Sequence, residues 1–236
     1  MKKIIVLLLL PLLIFSIIAC KDKEEEHEKK GKLIKMVEHF PSNNEFSLVI
    51  TYYYDNQNRL IKHQQSQNGD TASISIKYSA NTIITTLENV ENEISTWFFN
   101  ENGYLIGDDN NSTYIYENGY LKEWKGENGN KVEYSWQNGN MVQINGATFE
   151  YNNKKDLLNI NPFFFKGNNT LTYCGVKLKG WTSKNYVIKE THSVPCDHII
   201  TYEYIFDKDG YPIQIIWYFE SEKDGKSESK LILTYY

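Results

Sequence analysis

Three cysteines, five histidines and 30 carboxylates are the side chains of this sequence that could do chemistry. Cys174 and Cys196 come first. Two thiols closing a 23-residue loop in an exported domain read as a disulfide. Such a cross-link would stabilise the fold by about 3–3.5 kcal/mol in the chain-entropy picture. Metal is the competing reading, because His192, Cys196 and His198 with Cys174 offer four soft or borderline ligands. The tight Cys-x2-Cys pairs of zinc sites are missing, so a disulfide is expected and no metal. Asp108-Asp109-Asn110-Asn111 offers oxygens for calcium, and reads more simply as a polar turn. His39 and His63 alternate with their neighbours and read as surface strand positions rather than as bases. No Gly-x-Ser-x-Gly elbow, His-Glu-x-x-His helix or glycine-rich phosphate loop occurs. The carboxylates are too many to single out a glycosidase pair. The expectation is therefore no enzyme and no cofactor.

Cys20 carries a different chemistry. Met1-Lys2-Lys3 is a short positive start, and residues 4–15 are almost unbroken Ile, Leu, Val and Phe. That apolar run is too short to span a bilayer, which takes ~20 residues, and has the form of a secretory signal. Ile17-Ile18-Ala19-Cys20 resembles the lipobox of bacterial lipoproteins, in which cleavage before the cysteine leaves a residue that carries a diacylglycerol on its sulfur and a third acyl chain on its amine. The resemblance makes residues 1–19 a signal peptide and Cys20 the lipidation site. Three acyl chains would hold far beyond the marginal, reversible binding of one. Without Lys2 and Lys3, 23 basic residues face 30 acids, a net charge of −7. This balance disfavours nucleic acid as a partner, and it predicts no electrostatic pull toward anionic headgroups.

Residues 20–32 form the lipidated cysteine and a charged tether, Lys21-Asp22-Lys23-Glu24-Glu25-Glu26 and onward, with no large apolar side chain to offset ordering entropy. The acidic run also resembles the export signal of surface lipoproteins of Bacteroidota, with a plain linker the alternative. Asp70-Thr71-Ala72 resembles the short O-glycosylation motif of exported proteins from the same phylum, which makes Thr71 a candidate acceptor beside the Asn68-Gly69 turn. Among the five tryptophans, Trp181, after Gly180 in an irregular stretch, is the candidate for an exposed ligand contact.

The elements that must position these residues are strands. Only four alanines stand beside 18 tyrosines, and from Leu33 onward apolar residues recur every second position. Val132, Tyr134 and Trp136 form one such stripe; Ile200, Tyr202, Tyr204 and Phe206 another. An aromatic residue, then Asn/Asp/Gly, then an apolar residue recurs as Tyr116-Glu-Asn118-Gly119-Tyr120-Leu121 and Trp136-Gln-Asn138-Gly139-Asn140-Met141. Looser copies are Tyr54 to Leu60, Phe99 to Leu105 and Phe206 to Pro212. Asn-Gly tolerates positive φ at both turn positions, so Tyr116 should lie opposite Leu121 and Trp136 opposite Met141. The fold class is all-β. Residues 33–236 form one antiparallel meander curling into an open or partial barrel, with almost no helix outside the signal peptide. Ile205, Ile216 and Tyr218 lie off the main stripe and predict a segment buried on both faces near the C-terminus.

The aromatic-Asp/Asn-x-x-Gly/Asn-x-Leu/Pro units look like YD-type repeats. With the lipobox, Thr182-Ser183-Lys184-Asn185 and the closing Tyr202 to Pro212 unit, they resemble a family of Bacteroidota lipoproteins of unknown function with a porin-like fold. The resemblance implies a large meandering sheet at the outer membrane, and no established activity. The reading that results is a lipid-anchored, surface-exposed outer-membrane protein that binds or assembles without catalysing. Its membrane contact is the lipid on Cys20, and a glycan or a protein is its partner. A carrier sheltering an apolar ligand in the curled sheet is the alternative, and a surface hydrolase a third.

Overall fold

The computed structural model describes residues 32–41, 48–88, 94–158, 176, 178–193 and 197–236. Sixteen strands occur among them. They are β1 (Ile34–Phe40), β2 (Leu48–Tyr54), β3 (Leu60–Gln67), β4 (Asp70–Tyr78), β5 (Thr82–Leu87) and β6 (Ile94–Phe99). Next come β7 (Leu105–Asp108), β8 (Thr113–Glu117), β9 (Tyr120–Lys125), β10 (Lys131–Gln137) and β11 (Asn140–Ile144). The last five are β12 (Ala147–Lys155), β13 (Asn185–His192), β14 (His198–Phe206), β15 (Pro212–Ser221) and β16 (Gly225–Tyr235). Each pairs antiparallel with its neighbours in sequence, and β1 pairs with β16, so the sheet closes on itself as a barrel. The expected meander is present, and it completes the closure. Closing removes both sheet edges, which a helix-free sheet cannot otherwise cover.

Register fixes which face points inward. Val37 sits opposite Ile50 and Leu233, and all three are buried. Ile50, Tyr52, Ile76, Trp97, Tyr114, Phe149, Ile200 and Ile215 continue that inner surface around the ring. The outer positions alternate with them and carry Lys, Glu and Thr, as a half-buried antiparallel sheet requires.

The hairpins at one end, here the floor, share one construction. Tyr116 pairs with Leu121 and Trp136 with Met141, around Asn118-Gly119 and Asn138-Gly139 at positive φ. In the longer turns an acid or amide caps the loop. Asp55 Oδ1 accepts from the amides of Gln57 and Arg59, and Asp207 Oδ1 from those of Asp209 and Tyr211. Asn100 Oδ1 does the same for Asn102 and Tyr104. The register shifts by one residue at the aromatic anchor of five of these hairpins, those at Tyr54, Phe99, Tyr116, Trp136 and Phe206, so a bulge disturbs the ladder there. The next anchor then reaches back. The Tyr78 hydroxyl donates to Leu60 O at 2.9 Å, the Trp136 indole to Leu121 O at 2.6 Å, and the Tyr151 hydroxyl to Met141 O at 2.5 Å. Tyr235 does the same to Pro212 O. A polar-tipped ring thus packs its body inside while its tip satisfies a backbone carbonyl near the bulge. The prevalence of Tyr and Trp over Phe at these anchors follows from that second duty.

Ile205, Ile216 and Tyr218 do not form the expected two-sided segment. Ile205 is 48% exposed, on an outer wall it shares with Glu203 and Lys230. A single closed layer has only one dry side, so residues of the other phase meet water.

Candidate functional site

All four histidines of the described barrel face inward, where the outer wall uses lysine and glutamate. His39 lies opposite Leu48 and Leu231, His63 opposite Tyr52 and Ile74, and His192 opposite Ala147 and His198. The expectation of surface positions for His39 and His63 is therefore corrected. His63 is only 1% exposed, and His39 is half-buried. The reason is phase: His39 shares the face of Val37, and His63 the face of Tyr52. A mixed run such as Lys35-Met36-Val37-Glu38 leaves that phase ambiguous in sequence. Burial holds both imidazoles toward the neutral form, and for His63 the pKa falls to about 4.

One cluster of imidazoles and a carboxylate lines the inner wall of β13, β14, β15 and β1. Glu190, on β13, is fully buried. Its Oε1 accepts from the Tyr202 hydroxyl, and its Oε2 lies 2.9 Å from His192 Nε2. Burial first, and then the neighbouring Glu190 charge, hold the Tyr202 phenol well above its ordinary pKa, so it stays a donor. The His192 ring stacks on His198 at 4.1 Å, and His198 packs against Phe219 at 5.1 Å. His39 stacks on Trp217 at 5.2 Å, its Nε2 buried without a hydrogen-bond partner. This row of rings ends at the other rim, the mouth. A carboxylate that orients one imidazole beside a second, among aromatic faces, can hold protons and hydrogen-bond a guest. The sequence reading passed over Glu190. Its signal was the shared phase of Glu190 and His192, facing the stripe of His198, Ile200 and Tyr202.

The other candidates fall elsewhere. Trp181 is half-buried at the floor, in the segment between β12 and β13, and not on an outer face. Its indole donates to the Tyr116 hydroxyl at 2.8 Å and packs beside Tyr114 and Tyr134. The same segment hydrogen-bonds the floor hairpins through Leu121 N to Gly180 O and Lys184 N to Gly139 O. Thr71 is exposed at the mouth end of β4, within 3.2 Å of Ser66 Oγ. Asp108 spends its Oδ1 on the amides of Asn110 and Ser112 and its Oδ2 on the Tyr114 hydroxyl, and Asp109 accepts from Thr96 N. That is a polar turn. Cys20, Cys174 and Cys196 lie outside the described residues. Among the described residues no three or more His, Cys, Asp or Glu converge as metal ligands.

Two solved structures share this architecture. A porin-like protein from Bacteroides uniformis matches with a TM-score of 0.66 at 13% identity, over 86% of this chain and 98% of that one. One from Bacteroides vulgatus matches at 0.54, with the same identity and coverage. The fold is porin-like. No protein-family model matches the sequence, and no curated protein matches it either.

The porin-like wall is dressed the opposite way from a lipid-crossing barrel, whose strands put an apolar band outside and polar groups inside. Here ion pairs sit outside, Lys62 with Glu88 at 2.7 Å, Lys131 with Glu123 at 2.6 Å, and Lys189 with Glu150 at 2.9 Å, among exposed apolar residues such as Ile61, Ile106, Ile115 and Ile199. The buried apolar stripe faces the interior. A row of charges against hydrocarbon would cost about 2–4 kcal/mol per basic residue at the bilayer midplane.

Proposed function

We propose that this protein is an outer-membrane lipoprotein, anchored through acylated Cys20 and exposed at the cell surface, whose barrel stands in water as a non-enzymatic binding or assembly module. The observation that carries the reading is the charged outer wall around an apolar interior. Those outer charges would be costly in hydrocarbon, so membrane attachment falls to the N-terminal segment, where the lipobox-like Ile17-Ile18-Ala19-Cys20 lies. The mouth wall of Trp217, Phe219, His198 and His39 is the surface on which the barrel would hold a guest. A carrier of an apolar ligand is the second reading, and the same half-buried rings favour it over a hydrolase.

Growth with radiolabelled palmitate tests the anchor. Label should enter the wild-type protein, and Cys20→Ser should be unlabelled and leave the membrane fraction. A wild-type protein without label, or found in the soluble fraction, would overturn the proposal. Protease added to intact cells tests exposure, and full protection would confine the barrel to the periplasm. Intact mass of the mature protein reads glycosylation at Thr71, which adds mass beyond the lipid.

A further inference from the structure

The strand ends divide the charge of the barrel in a way its net value conceals. At the floor, Lys154, Lys155, Lys179, Lys184 and Lys208 are exposed and have no ion pair among the described residues, though Lys154 sits over the Phe206 ring and Lys179 over Tyr104 while donating to Asn102 O at 3.1 Å. Most floor acids are paired: Asp55 with Arg59 at 2.8 Å and Glu117 with Lys122 at 2.9 Å, while Asp207 and Asp209 share the single Lys32 at 2.6 and 2.8 Å and keep one net negative charge. Glu101 is the remaining exposed acid there among the described residues. The turns of the mouth have the opposite character, with Asp70, Asp109, Glu127, Asp197 and Glu222 exposed and Lys223 among them.

The chain also enters the barrel at the floor. Lys32 is gripped by the β14–β15 turn: its Nζ bridges Asp207 and Asp209, its backbone amide donates to the Tyr211 hydroxyl at 3.2 Å, and its ammonium sits 5.2 Å from the Tyr211 ring centroid. Eleven residues, 21–31, separate that grip from Cys20. Fully extended they reach at most about 40 Å. β15 and β16, of 10 and 11 residues, are themselves about 33–37 Å long. The reach of the tether is thus about one strand length.

We propose that the floor is the membrane-facing end of the barrel, its five unpaired lysines resting on anionic lipid headgroups while the acidic mouth points away. The inference rests on the lipid-anchor reading for the tether, and on the lysines alone for the surface contact. It departs from the expectation drawn from the net charge of −7, since a bilayer senses charge only within about one Debye length, ~8 Å in physiological salt. Orientation also gives the mouth wall its access: the ring row opens toward solvent rather than toward lipid.

Two measurements separate the parts. In the first, the mature chain with Cys20→Ser is sedimented with phosphatidylglycerol or phosphatidylcholine vesicles. It should bind the anionic vesicles, release in 0.5 M salt, and lose roughly a hundredfold in partitioning as K155Q/K184Q/K208Q, at about fivefold for each lysine near the surface. The triple variant should retain the wild-type circular dichroism spectrum and unfolding midpoint. Equal binding to both vesicles, or no loss in a folded triple variant, overturns the surface whatever the state of Cys20. In the second, the lipidated protein in phosphatidylglycerol vesicles carries a fluorophore on an azido side chain at Asn102, on the floor, or at Asn128, on the mouth. A lipid-borne acceptor should quench the Asn102 label several-fold more. Equal quenching, or stronger quenching at Asn128, overturns the orientation. An intact mass without acyl chains on Cys20 would sink the anchor instead and leave the first measurement standing.

Discussion

At the floor, each hairpin closes on an aromatic ring whose polar tip reaches the backbone carbonyl of the previous turn; at the mouth, the inward positions of β1 and β13 to β15 hold imidazoles stacked on indole and phenyl rings. The floor satisfies its polar atoms internally. Tyr78, Trp136 and Tyr151 each end on a carbonyl, and Ser183 Oγ takes Met141 N while donating to Tyr151. The mouth leaves some of its polar capacity open, as the buried Nε2 of His39 does. The difference separates a part that must be rigid from a part free to bind. A closed sheet needs one well-packed end to hold its register, and the other end can then carry groups that stability alone would not select.

The largest expected effect tests that division directly. Leu121 is 1% exposed at the floor, whereas Phe219 is half-buried near the mouth. Leu121→Ala should cost about 2–5 kcal/mol, the transfer term plus an unrelieved cavity. Phe219→Ala should cost roughly 1–2 kcal/mol, because much of its ring already meets water. Urea unfolding of both variants, with unchanged slope, reads the two values. Equal costs would erase the distinction between a packed floor and an open mouth.

Much of this organisation was legible in the sequence, and the rest failed for identifiable reasons. The two-residue alternation and the Asn-Gly turns specified strands, hairpins and the pairs Tyr116 with Leu121 and Trp136 with Met141, because those signals are local. Closure between β1 and β16 was not legible: it depends on the accumulated twist and stagger of every strand. The phase of His39 and His63 was missed because alternation has two settings, and only pairing with buried neighbours selects one. Trp181 looked exposed because no period marks its segment, yet long-range contacts with Tyr116 and Tyr114 hold it at the floor. The Glu190 cluster was hidden by the number of carboxylates around it.

The next effect probes the interior through pH. The His63 imidazole has its pKa lowered to about 4 by burial, against 6.5 in the unfolded chain. Below pH 6.5 the unfolded chain binds a proton that the folded barrel refuses, so stability falls as pH drops. The contribution is complete above 6.5, is lost progressively down to about 4, and amounts to about 3 kcal/mol. His39 shifts in the same direction from burial and adds to the slope. Denaturant midpoints measured from pH 7.5 to 4 should decline, and His63→Leu should flatten the decline across the 6.5-to-4 window. The slope is the readout, since the substitution also changes packing. An unchanged slope would mean that His63 titrates as an exposed residue, and the inner wall would be wetter than its burial indicates.

The smallest effect sharpens the place of Trp181. If its indole serves the floor, Trp181→Phe removes one donated hydrogen bond while keeping most of the ring, and should cost about 1 kcal/mol. Tyr116→Phe should cost a similar amount, and the double variant should cost less than the sum, because both changes delete the same bond. That non-additivity is the signature of an indole edge committed to the protein. A Trp181→Phe variant as stable as the wild type would say the edge is not needed by Tyr116, and Trp181 would return as a residue kept for a ligand. Binding energy and folding energy draw on the same N–H, so the cycle decides between them before any ligand is known.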